Sequence, residues 1–398
     1  MPTVDTSLRV PVGTLGEDAL LARILPLLAG TRTDVVGPGD DAAVLDIGGP
    51  VVVTTDAMVR GRDWLDVWST PEDVAIKCVT QNLADLAAMG AEPRSLLVTL
   101  VLDPQTPLDW VLRFAAQLGE QCRRYDVTVA GGDLSSADAG VLVVSVTAIG
   151  SLGERRPVLR SGAQVGDQLA VTGSIGRSGV GLALLQRGNV GDLSAEALTH
   201  HLRPSCPLSQ GLVAAQVGAS AMIDVSDGLA RDLHRLARAS GVAVDVDSAA
   251  LSADLNWAER FLPRAQARAA VLGGGEEHSL IACFPGTIPP WWRVLGRVRE
   301  GLRYERPRRE RPAGPRARAG GQRGVPRRQG PRPARLGSLR RLISPDDSAR
   351  NARRLGQERT ATRPGMRKPR GAGSRAVPGM RKPRAQKSTR LLQWRPPP

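Results

Sequence analysis

The stretch KCVTQNLADLAAMG, residues 77–90, decides how the rest of the chain is read. Val79, Leu83, Leu86 and Ala87 recur at helical spacing, and Gly90 sits where a C-cap belongs, so residues 71–89 form a helix. Asn82 and Asp85, three apart, share another face of it. That polar pair is either an exposed stripe or a site facing inward, and the second reading explains it at least as well.

Working outward, strand-like runs alternate with amphipathic windows through residue 300. Val51–Thr54, Leu96–Leu102, Val127–Ala130, Val141–Ile149 and Gln168–Thr172 are rich in Val, Leu and Thr and read as strands. Glu17–Leu28, Pro107–Arg124, Ser178–Gln186 and Gly228–Ser240 carry apolar residues at helical spacing, the last closed by Gly241. The expected fold class is α/β (α+β): two domains with mixed sheets and flanking helices. The polar stretch Arg155–Gly162 sets a soft boundary, giving an N-terminal domain over 14–155 and a C-terminal domain over 156–301.

Acidic residues recur at what read as strand ends and turns: Gly39-Asp40-Asp41, Thr54-Thr55-Asp56, Gly131-Gly132-Asp133, Asp224-Val225-Ser226-Asp227-Gly228 and Gly273-Gly274-Gly275-Glu276-Glu277. Each has a plain reading as a turn, a helix cap or a connector. Five such places in 300 residues exceed what turn chemistry requires. Carboxylates are too costly inside a sheet and suit a hard divalent ion shared with substrate phosphates. Lys77 is the lone lysine before residue 302, so no Gly-x4-Gly-Lys-[Ser/Thr] phosphate loop exists there. Phosphates would have to be held by metals, backbone amides and arginine. Arg160 is a candidate, and Ser226 with the first amides after Gly228 offers an anion site. His200, His201, His234 and His278 show no ligand spacing, and no nucleophile–base set stands out, so no covalent intermediate is expected.

Composition bounds the rest. The chain has 398 residues, 54 Lys+Arg, 39 Asp+Glu and a formal net charge of +15. Residues 301–398 hold 29 of the basic and 5 of the acidic groups, net +24; the first 300 hold 25 and 34, net −9. No run approaches the ~18 apolar residues of a membrane span, and the opening MPTVDTSLRVPVG lacks the pattern of a secretory leader. The four cysteines, Cys78, Cys122, Cys206 and Cys283, form no CxxC pair, which fits a reducing cytoplasm.

The ordered motifs GDDAA (39–43), TTDAMV (54–59), NLADLAAMGA (82–91), GGD (131–133), RSGA (160–163), DVSDGL (224–229) and GGGEEH (273–278) resemble the thiamine-monophosphate kinase family. These enzymes sit among the ATP-dependent synthetases related to aminoimidazole ribonucleotide synthetase. The resemblance covers roughly residues 14–300, and its most specific piece is 82–91. It implies transfer of the ATP γ-phosphoryl group to thiamine monophosphate, Mg²⁺ as cofactor, and a homodimer joined through the N-terminal sheets. By motif it assigns Asp41, Thr54, Thr55, Asp56, Asp85, Asp133, Asp224 and Asp227 to Mg²⁺, Gly132, Arg160 and Ser226 to ATP, and Glu276 to the thiamine substrate. Asp63 stands where the family often has a substrate-contacting His, and Glu277 where it has Asp. The family's aromatic C-terminal segment has no counterpart after Gly301.

Residues 302–398 are dominated by Arg, Pro, Gly and Ala, and PGMRKPR occurs at 364–370 and again at 378–384. Such composition cannot offset chain entropy by burial, so disorder is expected. Out-of-frame reading of GC-rich DNA gives this composition, and a frameshift near 301–306 is the preferred explanation. The alternative for the tail is a basic arm that makes the protein a nucleic-acid binder; the alternative for the activity is a different ATP-dependent synthetase of the same superfamily.

Overall fold

The computed structural model describes residues 10–28, 36–38, 42–188 and 195–301. Asp41 and the expectations for residues 302–398 lie outside them.

The N-terminal half is a four-stranded sheet with helices on one face. Helix α1 (Glu17–Ile24) is followed by β1 (Val51–Val59), α2 (Pro71–Ala88), β2 (Glu92–Leu102), α3 (Leu108–Tyr125), β3 (Thr128–Ser136) and β4 (Leu142–Ser151). The strand order is β1-β4-β2-β3, with β2/β3 the parallel pair. Thr70 starts α2: its hydroxyl accepts the Asp73 amide while the Asp73 carboxylate accepts the Thr70 amide, and Pro71 occupies the first turn, where its missing N–H costs nothing. Period-two alternation sends Leu96, Val98, Leu100 and Leu102, with Leu142, Val144, Val146 and Ala148, into the core beneath α2 and α3. Val51, Val53 and Leu97 leave from the opposite face and are 49, 61 and 37% exposed.

The C-terminal half is a five-stranded sheet of β5 (Gln168–Thr172), β6 (Ala221–Asp224), β7 (Val242–Val246), β8 (Leu280–Phe284) and β9 (Arg293–Glu300), in the order β6-β8-β5-β9-β7. Every pair in it is antiparallel, so the expected mixed sheet is found in the first half alone. Around it lie α4 (Arg177–Arg187), α5 (Ala195–Leu202), α6 (Leu208–Gln216), α7 (Leu229–Ser240), α8 (Ser252–Glu259) and α9 (Arg264–Gly273). Side chains of α4, α7 and α9 fill the core on one face of this sheet. The other face packs on α2 and α6: Ala84, Ala87 and Ala88 meet Ala214, Met222, Leu280, Ala282 and Phe284. Helix α2 therefore belongs to both lobes, and its run of alanines is what lets two sheets share it. The sheets are separated along the chain by residues 152–167.

Two expectations are corrected. Asp56 and Asp133 do not end their strands: β1 runs on to Val59 and β3 to Ser136. Both continue because their partners do, Ala57–Val59 pairing with Val143–Ser145 and Asp133–Ser136 with Thr99–Leu102. Local polarity made each strand look shorter than the ladder allows.

Candidate active site

The site forms where α2 brings β1 against the end of β6. Alternation along β1 places Thr54, Asp56 and Met58 on the helix side of the sheet, and Thr54 Oγ1 donates to Asp85 Oδ2 on α2 at 2.6 Å. The Asp85 carboxyl is pushed up to about 6, first by burial, then by the negative charges of Asp224 and Asp56; the Thr54 hydrogen bond and Arg160 oppose this. Asp56 is also raised, by burial first, with His278 opposing and Asp224 adding. Three carboxylates from β1, α2 and β6 thus feel one another across the boundary between the lobes.

The second lobe contributes two loops that run side by side. Asp224 is the last residue of β6 and is 2% exposed. Beyond it the Glu276 amide donates to Ser226 O at 2.8 Å and the His278 amide to Val225 O at 2.9 Å, extending the β6/β8 pairing into the loops. Glu276 and His278 hold φ of 60° and 53°, unusual for non-glycine residues. His278 Nδ1 lies 3.3 Å from Asp224 Oδ2. Glu276 Oε2 accepts from Lys77 Nζ of α2 at 2.8 Å, with His201 Nδ1 at 3.4 Å. Glu277 turns the other way, accepting from the Ser178 amide at 2.6 Å and Ser174 Oγ at 2.9 Å.

The structure divides the residues singled out from sequence. Thr54 hydrogen-bonds Asp85, and Asp56 and Asp224 act on Asp85 through their charges, with Ser226 and Glu276 on the loops that follow β6 and precede β8. Arg160 lies near enough to lower Asp85, and its turn is fixed by Ser240 Oγ donating to Arg160 O at 2.8 Å. Thr55 and Asp133 belong elsewhere. Thr55 pairs with Thr147, and Asp133 pairs with Thr99, both on the face opposite Asp56. Three inter-strand steps, about 14 Å at ~4.8 Å each, also separate β1 from β3. Asp133 accepts from Ser135 Oγ at 2.7 Å and, with Gly132, borders a cavity of about 820 Å³. Pro38 and Ala42, which flank Gly39–Asp41 in sequence, border the same cavity. Gly132 cannot carry a side chain, since a Cβ there would stand 1.8 Å from Val98 O. Asp227 is held by Arg235, with Arg231 at 3.7 Å. Asp63 accepts the Val59 amide at 2.7 Å within its own turn.

The residues near Asp85 fit a divalent ion in kind. Asp56, Asp85 and Asp224 carry mutual repulsion that a cation would relieve, and the buried Asn82 Oδ1, on the same helix, has no hydrogen-bond partner. Among the described residues no three Asp, Glu, His or Cys side chains converge closely enough to enclose a metal ion by themselves. Sequence reading passed over His278, His201 and the pairing of Lys77. Neither histidine had a spacing signal, but the uniqueness of Lys77 among the first 300 residues was visible.

Residues 39–152 match AIR synthase related protein, N-terminal domain, and residues 164–277 match AIR synthase related protein, C-terminal domain, which defines the class. The thiamine-monophosphate kinase of Mycobacterium tuberculosis is 44% identical over 312 residues, 76% of this chain and 91% of that protein. The crystal structure of thiamine-monophosphate kinase from Stenotrophomonas maltophilia has a TM-score of 0.63 at 31% identity, covering 72% of this chain and 95% of that one. AaThiL complexed with AMPPCP and TMP has a TM-score of 0.58 at 30% identity, with coverages of 72% and 92%. The chain belongs to the thiamine-monophosphate kinase family.

Proposed function

We propose that the protein transfers the γ-phosphoryl group of ATP directly to the phosphate of thiamine monophosphate, giving thiamine diphosphate and ADP. The observation that carries this is the Asp56–Asp85–Asp224 grouping between the lobes, in which Asp224 raises the pKa of both Asp56 and Asp85, and Asp56 that of Asp85. Phosphoryl transfer through a loose transition state needs in-line placement and charge neutralisation rather than a protein nucleophile. Two anionic substrates repel each other, and Mg²⁺ would supply positive charge that offsets this repulsion. Asp56, Asp85 and Asp224 would hold it, with Thr54 orienting Asp85. Arg160 and the Ser226 loop lie beside that group and would face the ATP phosphates; Glu276 would take the thiamine moiety. The relative solved with AMPPCP and TMP supports this choice of substrates.

The face carrying Val51, Val53, Leu97, Thr55 and Asp133 is read as the surface of a homodimer. Gly132, Asp133 and the GDDAA stretch would then serve ATP and metal across the subunit interface rather than beside Asp56. Asp63 and Asp227, tied into local contacts, would have to release them to reach a ligand. The domains are taken as 14–155 and 156–301, with α2 shared. The described cysteines are all free and buried, which fits a reducing cytoplasm. The test is Mg²⁺-dependent formation of thiamine diphosphate with one ADP per product. Equal rates in wild type, Asp56→Ala and Asp85→Ala would remove the reading.

A further inference from the structure

The lone lysine of the first 300 residues is also among the most buried charges of the described residues. Lys77 is 3% exposed, and its one ion-pair partner among the described residues is Glu276, 199 positions away, at 2.8 Å. A buried ammonium is retained against its desolvation cost only where the pairing is close, and this pair crosses from α2 of one lobe to a loop of the other. The loop needs such a hold. Glu276 and His278 both sit at positive φ, where a non-glycine backbone persists only if its surroundings over-determine it.

The contacts on Glu276 are one-sided. Lys77 and His201 both address Oε2, while Oε1 accepts no hydrogen bond among the described residues, and the side chain is 38% exposed. His201 is itself held by Ser178 Oγ at 3.1 Å. Burial, with Lys77 adding, lowers the His201 pKa to about 4, so at neutral pH the one full charge facing Oε2 is Lys77. The Glu276 amide donates to Ser226 O, so Glu276 is fixed at both its backbone and one carboxylate oxygen.

We infer that Lys77 is a positioning residue: it clamps Glu276 Oε2 from the opposite lobe and leaves Oε1 aimed at a hydrogen-bond donor of the thiamine substrate. This rests on the proposed function for the identity of the substrate but not for the clamp itself. Because the pair is neutral overall, Glu276 is offered as an acceptor for an N–H or O–H group and not as a bare counter-ion.

The experiment uses the full chain with Lys77→Met, Lys77→Arg, Glu276→Gln and the Lys77→Met/Glu276→Gln double variant. Amide hydrogen exchange reads the clamp without any need for turnover: Lys77→Met should speed exchange over 275–278 about tenfold and leave 71–88 unchanged. In steady state Lys77→Met should raise KM for thiamine monophosphate at least tenfold with KM for ATP within twofold. Lys77→Arg should recover most of that loss, and the double variant should be no worse than Glu276→Gln alone. Unchanged exchange over 275–278, loosening of α2, or equal rises in both KM values would overturn the inference. So would a double variant whose loss is the product of the single losses. If Glu276→Gln leaves KM for thiamine monophosphate unaltered while Lys77→Met still frees 275–278, the clamp stands and the substrate role of Glu276 falls. Wild-type protein that exchanges as expected but makes no thiamine diphosphate would instead sink the proposed function.

Discussion

Thr54 Oγ1 on β1 donates at 2.6 Å to Asp85 Oδ2 on α2, joining a strand and a helix 31 residues apart at the centre of the candidate site. This bond favours the ionised carboxylate and works against the burial that raises Asp85. Thr54→Val removes it while keeping the shape. The acid limb of kcat/KM should move to higher pH, and the rate at pH 7 should fall about tenfold, the usual effect of losing a partner to a residue in the role proposed for Asp85. Thr54→Ser should restore both. A pH–rate profile unchanged in the valine variant would refute the role.

The raised Asp85 has a sign that can be checked in metal-free protein. A carboxyl at about 6 in the folded state, against 3.8 ordinarily, takes up a proton on folding between those values. Stability should therefore fall as pH rises from 4 to 6, and the ionised form should cost about 2 kcal/mol above that, allowing for partial solvent access. Asp85→Asn should flatten this dependence and raise the Tm of chelated protein at pH 8. It should also abolish the further stabilisation expected when Mg²⁺ is added to wild type. Urea melts with and without chelator at pH 4.5, 6 and 8 decide the matter.

Asp56 and Asp133 project from opposite faces of one sheet. If both serve one reaction, the proposed homodimer would have to bring them together across its subunit interface. Asp56→Ala and Asp133→Ala should each be inactive alone. Chains of the two kinds, mixed and allowed to exchange, should regain up to about a quarter of wild-type activity, since half the dimers are mixed and half of their sites intact. Absence of any recovery, with exchange confirmed by mass labels, would place both residues in one chain's site or leave Asp133 without a role.

Gly211 on α6 lies where the two lobes share α2, and a Cβ added there would stand 2.2 Å from Ala87 O. Gly211→Ala should destabilise by about 1–3 kcal/mol, as overpacking does. Since α2 is common to both cores, Trp110 in the first lobe and Trp292 in the second should report one unfolding transition before and after the change. Two separated transitions in the wild type would contradict the shared helix.

The sequence alone determined most elements of the first lobe and the kind of chemistry, while β7, α5, α6, α8 and α9 of the second lobe were not read from it. Periodicities of two and 3.6 are local properties, so α2, β2, β5 and the α7 cap at Gly241 were legible within a few residues. So were the acidic motifs and the lack of a phosphate loop, because residue type and spacing survive any fold. Tertiary structure decided which of those residues meet. Asp56 and Asp133 read alike as strand-end acids, yet the ladder carries both strands onward and its register sends the two to opposite faces. Lys77 and Glu276 are 199 residues apart, and nothing near either one in sequence predicts the other. The physical reason is that one residue of strand register, or one helix packed between two sheets, is fixed by the sum of many distant apolar contacts. No single stretch of sequence contains that sum.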